Sequence, residues 1–265
     1  MTPQARKKVI QESTEINRRI TRPTGTTTAQ DSIDCSTYEV ETFLHEFGHS
    51  LHGLLANTHR RSLSGTSVYR DFVELPSQFN ENYLTEQEFL NTFAKHYQTG
   101  EPIPAELVNA LVTSSQYGAA YACMRQLMFG FLDMAWHTAK APVDDAVAFE
   151  IEAIRPVQIF EPVEGSMTSP QFSHIFSGGD AAGYYSYKWA EVLDADAFAY
   201  FKEKGIFNKE AADSFRKNIL EKGGTEHPSE LYRRFRGQDP TIDALLIRDG
   251  ISKAPQHKVA PIEKD

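Results

Sequence analysis

Residues 45–52 read HEFGHSLH, three histidines and one glutamate in eight positions. On a helix, side chains four apart lie one turn apart, so His45 and His49 aim their imidazoles off the same face and can share one ion. Glu46 is the next residue along from the first histidine. It can take a proton from a water at that ion without being a ligand itself. Gly48 leaves the space near the second histidine open to backbone or substrate. A solvated or core-satisfied histidine pair would look the same in isolation, so the rest of the chain has to decide.

A catalytic zinc takes three protein ligands and keeps one position open, whereas a structural zinc is closed by four. The candidates for a third ligand are Glu74, Glu81 and His59. Glu74 lies in RDFVELPSQFNE, an amphipathic stretch separated from the first helix by a glycine-containing loop. A returning antiparallel helix can present it opposite His45 and His49. Glu41, one turn before His45, and Asp71, three residues before Glu74, can orient the imidazoles from behind; both read equally well as solvent-facing helix charges. No obvious fourth ligand is present, which favours an open site.

These residues need helices to hold them. STYE puts Ser36 and Glu39 in capping-box spacing. Val40, Phe43, Leu44, Phe47, Leu51, Leu54 and Leu55 then follow steps of three and four, a helical apolar stripe. Residues 60–69 read as a loop with a short strand, and 71–85 and 86–98 as consecutive helices, with Pro76 kinking or shortening the first. Residues 105–140 carry a long helical pattern with breaks expected at Gly118 or Gly130, and 143–155 a shorter helix. The glycine-, serine- and tyrosine-rich stretch 162–187 is too long for an ordinary connection. Helices resume at 188–203, 208–222 and 228–235. Residues 1–20 read as a polar amphipathic helix, 22–32 as a Pro/Gly/Thr-rich connection, and the chain after Gly250 as a loose tail. With no internal repeat and little β-pattern, the fold class is mainly α.

Composition narrows the function. The chain has 265 residues, 40% hydrophobic and 24% charged, long enough to bury a sizeable core. A net charge of −9 offers no basic face for nucleic acid. Apolar runs such as 127–136 fall well short of the ~20 residues a membrane span needs. The two cysteines, Cys35 and Cys123, imply no disulfide framework and suit a reducing compartment. The first residues lack the apolar core of a signal peptide. A cytoplasmic location is expected, or a periplasmic one if the chain is a fragment of a longer precursor.

FLHEFGHSLHGLL followed by SLSGTSVYRDFVELPSQFNENY resembles the active-site helix pair of the thimet oligopeptidase family of zinc metallopeptidases, which includes oligopeptidase A and the peptidyl-dipeptidases. FSHIFSGGDAAGYYSYKWAEVLDADAF (172–198) is similar to that family's substrate-binding loop, and GGTEHPSELYRRFRGQDPTIDALLIRDGI (223–251) to its C-terminal region. SGTSVYRDFVELPSQ and FRGQDP lean toward the peptidyl-dipeptidase branch. The resemblance runs over residues 37–251. It implies a zincin-like catalytic domain there, after a weakly matching segment 1–36 and before the tail 252–265.

The resemblance implies one zinc ion held by His45, His49 and Glu74, the last lying 25 residues after His49 as in the family. Glu46 would be the general base in hydrolysis of short peptides. Tyr187 would donate to the oxyanion, His174 would contact the substrate backbone, and Tyr184 would line the same wall. Tyr185 and Trp189 read as core packing. Asp180 departs from the family, which has a substrate-binding tyrosine there; a carboxylate reaches less far and, ionised, only accepts hydrogen bonds. Family members are also far longer, with an N-terminal half that walls off a channel. A lone catalytic half should expose apolar surface, favouring a homo-oligomer or a further chain as partner. Two alternatives stand beside an active peptidase: a catalytically impaired peptide-binding or scaffold chain of the same fold, motivated by Asp180 and the missing half, and a helical protein with structural zinc.

Overall fold

The computed structural model describes residues 36–177 and 179–252. The segments expected as a helix at 1–20 and a connection at 22–32, and nearly all of the tail, lie outside the described residues. The mainly α reading holds: among the described residues there is no β-strand, and an isolated antiparallel bridge joins Lys95 to Pro102.

Helix α1 (Thr37–Leu54) starts where its capping box predicts. The Ser36 hydroxyl accepts from the Glu39 N–H at 3.2 Å, and the Ser36 N–H donates back to Glu39 Oε2 at 2.6 Å. Its buried face differs from the expected stripe. Leu44, Gly48 and His52 point inward, while Phe43, Phe47 and Leu54 are 65%, 43% and 76% exposed. The reason is the crossing with α2 (Leu75–Glu81). A Cβ on Gly48 would come within 2.5 Å of the Ser77 Cα and closer still to the Pro76 carbonyl oxygen. The helices touch backbone to backbone, so the residue without a side chain selects the buried face, not the phenylalanines.

Pro76 sits in the first turn of α2, where its missing N–H costs no helical hydrogen bond. The helix expected over 71–85 is therefore split: 3-10 turns at Arg70–Phe72 and Asn82–Thr85 flank a two-turn α2. The strand expected within 60–69 is instead a 3-10 turn, Arg61–Leu63, whose Leu63 carbonyl accepts from the Gly224 N–H at 2.9 Å. The helix expected over 86–98 shrinks to α3 (Gln87–Leu90). Beyond it the chain folds back on itself, with Ile103 N–H donating to Ala94 O and His96 N–H to Glu101 O.

Helices α4 (Ala105–Gln116) and α5 (Ala119–Thr138) break at Gly118, which takes a φ of 80° that favours glycine. Gly130 lies within unbroken helix. Next come α6 (Ala146–Ile154), capped by Asp145, then α7 (Tyr185–Lys204), α8 (Lys209–Phe215), α9 (Pro228–Arg236) and α10 (Asp243–Arg248). A π-helical turn, Arg216–Leu220, continues α8.

Two cores position the site. In the larger, Phe79 of α2 stacks on Phe215 at 4.6 Å and meets Phe201 of α7 at 4.9 Å. Truncating a phenylalanine so buried costs about 3–5 kcal/mol, so α2 is wedged firmly between α1 and α7. The smaller core, Phe129, Leu132, Ile154, Ile175 and Tyr184, ties the 162–184 stretch onto α5 and α6. Arg248 of α10 donates to the buried Asp194 of α7 at 2.6 Å, and Asn82 donates to the same oxygen at 2.7 Å. That clamp joins the C-terminal helix to the end of α2.

Candidate metal centre

The close crossing at Gly48 brings Glu74, the residue just before α2, against the exposed end of the histidine pair. His49 Nε2 lies 3.2 Å and His45 Nε2 3.4 Å from Glu74 Oε2. The three residues form a cluster whose donor atoms lie within 4.8 Å of one another. A tetrahedral zinc with bonds of about 2.0–2.1 Å sets its ligand atoms about 3.3 Å apart. The spacing and the two-nitrogen, one-oxygen donor set therefore fit that ion. His59 is exposed and lies outside the cluster.

Glu74 is buried to 5% exposure, an unusual place for a carboxylate without partners. The Ser77 hydroxyl stands 2.9 Å from both its Oε2 and its backbone oxygen, fixing the rotamer. Burial pushes the carboxyl up, but the histidines and Ser77 together hold it well below the usual carboxylate range. It is an anion aimed at the two imidazoles. His45 is pushed up to about 10 by hydrogen bonds to Glu74 and then Glu81, against the opposing effect of burial.

Glu81, a candidate ligand in the sequence, sits elsewhere. Its Oε1 is 2.6 Å from Nδ1 of His45, the nitrogen that does not face Glu74. A ring nitrogen held by a carboxylate fixes the tautomer that leaves Nε2 free to ligate. Neither of the residues expected to orient the imidazoles hydrogen-bonds a ring among the described residues. Glu41 is exposed one turn before His45 and makes no hydrogen bond to either ring among the described residues. Asp71 accepts from the Tyr185 hydroxyl at 3.0 Å. The spacing of Glu81, seven residues after Glu74 and so on the same face of a helix, is a signal that could have marked it.

Glu46 lies on the exposed flank of α1, and its carboxylate meets no partner among the described residues. Tyr187, in the first turn of α7, is half-buried and close enough for the Glu74 charge to act on its phenol. Arg70 Nη2 donates to the Tyr187 oxygen at 3.3 Å, and the same nitrogen is ion-paired with Asp180 Oδ1. Asp180 is buried, not open to solvent. Nothing local in the sequence announced Arg70, because its partners are more than a hundred residues away.

Tyr184 is buried in the smaller core, which pushes its phenol up to about 12, and its ring lies 5.2 Å from that of Tyr187. His174 is exposed on a 3-10 turn and stacks on Phe172 at 5.1 Å. Tyr185 and Trp189 are 49% and 44% exposed, not packed in the core. The inward face of α7 runs through Ser186, Ala190, Leu193 and Ala197, which turns positions 185 and 189 outward.

The loop carrying these tyrosines is anchored by Asp133, fully buried on α5. Its Oδ1 accepts from the Ala182 N–H and its Oδ2 from the Tyr184 N–H, both at 2.9 Å. His137 Nδ1 approaches Oδ1 at 2.9 Å. Ala182 has a φ of 55°, left-handed and strained for a residue with a Cβ. A lone acid inside the apolar run LMFGFLDMAW was the sequence signal for this anchor.

The model of peptidase family M3 matches residues 29–251. The chain belongs to peptidase family M3. It is 48% identical over 216 residues to oligopeptidase A of Escherichia coli, covering 80% of this chain and 32% of that protein. Oligopeptidase A of Salmonella typhimurium is 47% identical over the same shares. The dipeptidyl carboxypeptidase of Escherichia coli is 39% identical over 81% of this chain and 32% of its own length. The chain thus spans about a third of the length of these curated relatives. The peptidyl-dipeptidase branch is represented among them, at lower identity than oligopeptidase A. No helix among the described residues is long and apolar enough to cross a membrane.

Proposed function

We propose that this chain carries a zinc-dependent site for hydrolysing peptide bonds in short peptides, with His45, His49 and Glu74 as the metal ligands. The observation that carries the reading is the convergence of both Nε2 atoms on one buried Glu74 oxygen at tetrahedral-ligand spacing. When bound, zinc supplies Lewis acidity to the scissile carbonyl and the attacking water. Glu46, unengaged and beside the ligands, takes the proton from that water and delivers it to the leaving amine. Glu81 holds the His45 ring in its ligating tautomer. Tyr187 donates its phenol O–H to the oxyanion that develops on the substrate. His174 and the 172–184 stretch form the wall along which the peptide lies.

The relatives named oligopeptidase A and dipeptidyl carboxypeptidase support peptides as substrates. The exposed rows Phe43, Phe47 and Leu54 on α1, and Leu127, Phe131 and Met134 on α5, support the expectation that this unit works against further protein.

The test is a pair of variants in zinc-loaded protein. Glu46→Gln should keep one zinc per chain and lose cleavage of a quenched fluorescent peptide by several orders of magnitude. Glu74→Ala should lose the stoichiometric zinc itself. Full zinc retention in Glu74→Ala after dialysis, or native cleavage by Glu46→Gln, would overturn the assignment.

A further inference from the structure

Arg70 touches two members of the site with one nitrogen. Nη2 is paired with Asp180 and donates to the Tyr187 oxygen at 3.3 Å. The guanidinium carbon lies 5.7 Å from the centre of the Tyr187 ring. Arg70 Cγ packs where Gly183 has no side chain, 3.6 Å from the position a Cβ would take. Asp180, whose side chain is 8% exposed, is a buried carboxylate beside a phenol.

We propose that Arg70 is a positioning residue that keeps the Tyr187 hydroxyl proton available to substrate by occupying Asp180. A phenol has a single proton to donate, and a guanidinium accepts nothing. With Arg70 donating to the Tyr187 oxygen, the phenol proton must point elsewhere. Without Arg70, that proton is left to carboxylate acceptors, and Asp180 is the one the lost guanidinium had paired. The phenol would then be committed to a carboxylate and lost as a donor, and an unpaired negative charge would stand beside the developing oxyanion. The ion pair thus turns a residue hostile to the reaction into a neutral part of the wall. This rests on the proposed role of Tyr187, so the test includes a readout that needs no turnover.

Protein labelled with 3-fluorotyrosine reports the ionisation midpoint of Tyr187 by fluorine NMR, the resonance being assigned by its loss in Tyr187→Phe. Arg70→Met should raise that midpoint by roughly one pH unit, because a cation is replaced by an exposed demand from Asp180. Adding Asp180→Asn should bring it back down. In the cleavage assay, Arg70→Met should lower kcat on the order of a hundredfold with a smaller change in KM, and adding Asp180→Asn should restore most of that loss while Tyr187→Phe stays slow. Zinc content should stay at one per chain throughout. If Arg70→Met does not fold, Asp180→Asn alone should lower the midpoint; no movement there overturns the proposal. An unmoved midpoint in folded Arg70→Met, or native kcat in that variant, does the same while leaving the peptidase reading intact. The expected midpoint pattern in a protein that cleaves no peptide would instead sink the peptidase reading and leave the Arg70 assignment standing.

Discussion

Glu81 Oε1 stands 2.6 Å from His45 Nδ1, while the other nitrogen of the same ring faces Glu74 Oε2 at 3.4 Å. The imidazole is gripped on both edges by carboxylates from the two ends of α2. Removing the outer grip while keeping all three ligands isolates its contribution. Glu81→Ala should weaken zinc binding by about 10–100-fold. Competition with a chelator of known affinity measures it, and unchanged affinity would show that the ring is oriented by something else.

The same two carboxylates set a pH dependence. His45 is raised from its ordinary value of 6.5 to about 10. A raised value means that the metal-free fold gains stability from this proton below about 6.5 and loses it as pH climbs through about 10. Zinc must displace that proton. Its affinity should therefore rise by up to about tenfold per pH unit across the window, while the metal-loaded protein should lack the slope in melting temperature that His45 causes in the metal-free one. Melting curves and chelator titrations at stepped pH check both; a zinc affinity flat across this range would refute the protonated-histidine picture.

The helix crossing is open to a sharp contrast. Gly48→Ala must push α1 and α2 apart, which should cost about 1–3 kcal/mol and move Glu74 away from the histidines. Gly53, on the same helix, has nothing within 4 Å of where its Cβ would be. Gly53→Ala should be neutral or stabilising by up to about 1 kcal/mol. Denaturant titration and zinc content of the pair would decide, and equal effects would refute the contact argument.

Asp133→Asn places an N–H₂ group against one of the two backbone N–H donors it now receives. Each charge-assisted bond at stake contributes about 1.5–3 kcal/mol. Backbone amides over 179–187 should then exchange much faster with solvent, with zinc still bound. Ala182→Gly relieves the left-handed strain and should stabilise the protein by about 1 kcal/mol. Hydrogen exchange and thermal melts read these out; unchanged loop exchange in Asp133→Asn would mean that the hydrophobic contacts of Tyr184 hold the loop unaided.

What the sequence by itself determined is what depends on near neighbours. The capping box at Ser36 and Glu39, the shared face of His45 and His49, and the helix break at Gly118 are all set within a turn or two of chain, where spacing and backbone geometry suffice. The family blocks added the 25-residue step to Glu74. The tertiary structure decided what depends on where helices cross. Gly48 rather than the phenylalanines became the inner face of α1, because only a bare Cα admits the Pro76–Ser77 backbone. Glu81 rather than Glu41 or Asp71 took the back of His45, since the ring's free edge faces α2 and not the preceding turn of its own helix. Asp180 met Arg70, which stands 110 positions earlier in the chain. A lone carboxylate in a glycine loop carries no mark of its partner, because burial, which makes the partner necessary, exists only once the loop is folded against α5 and α7.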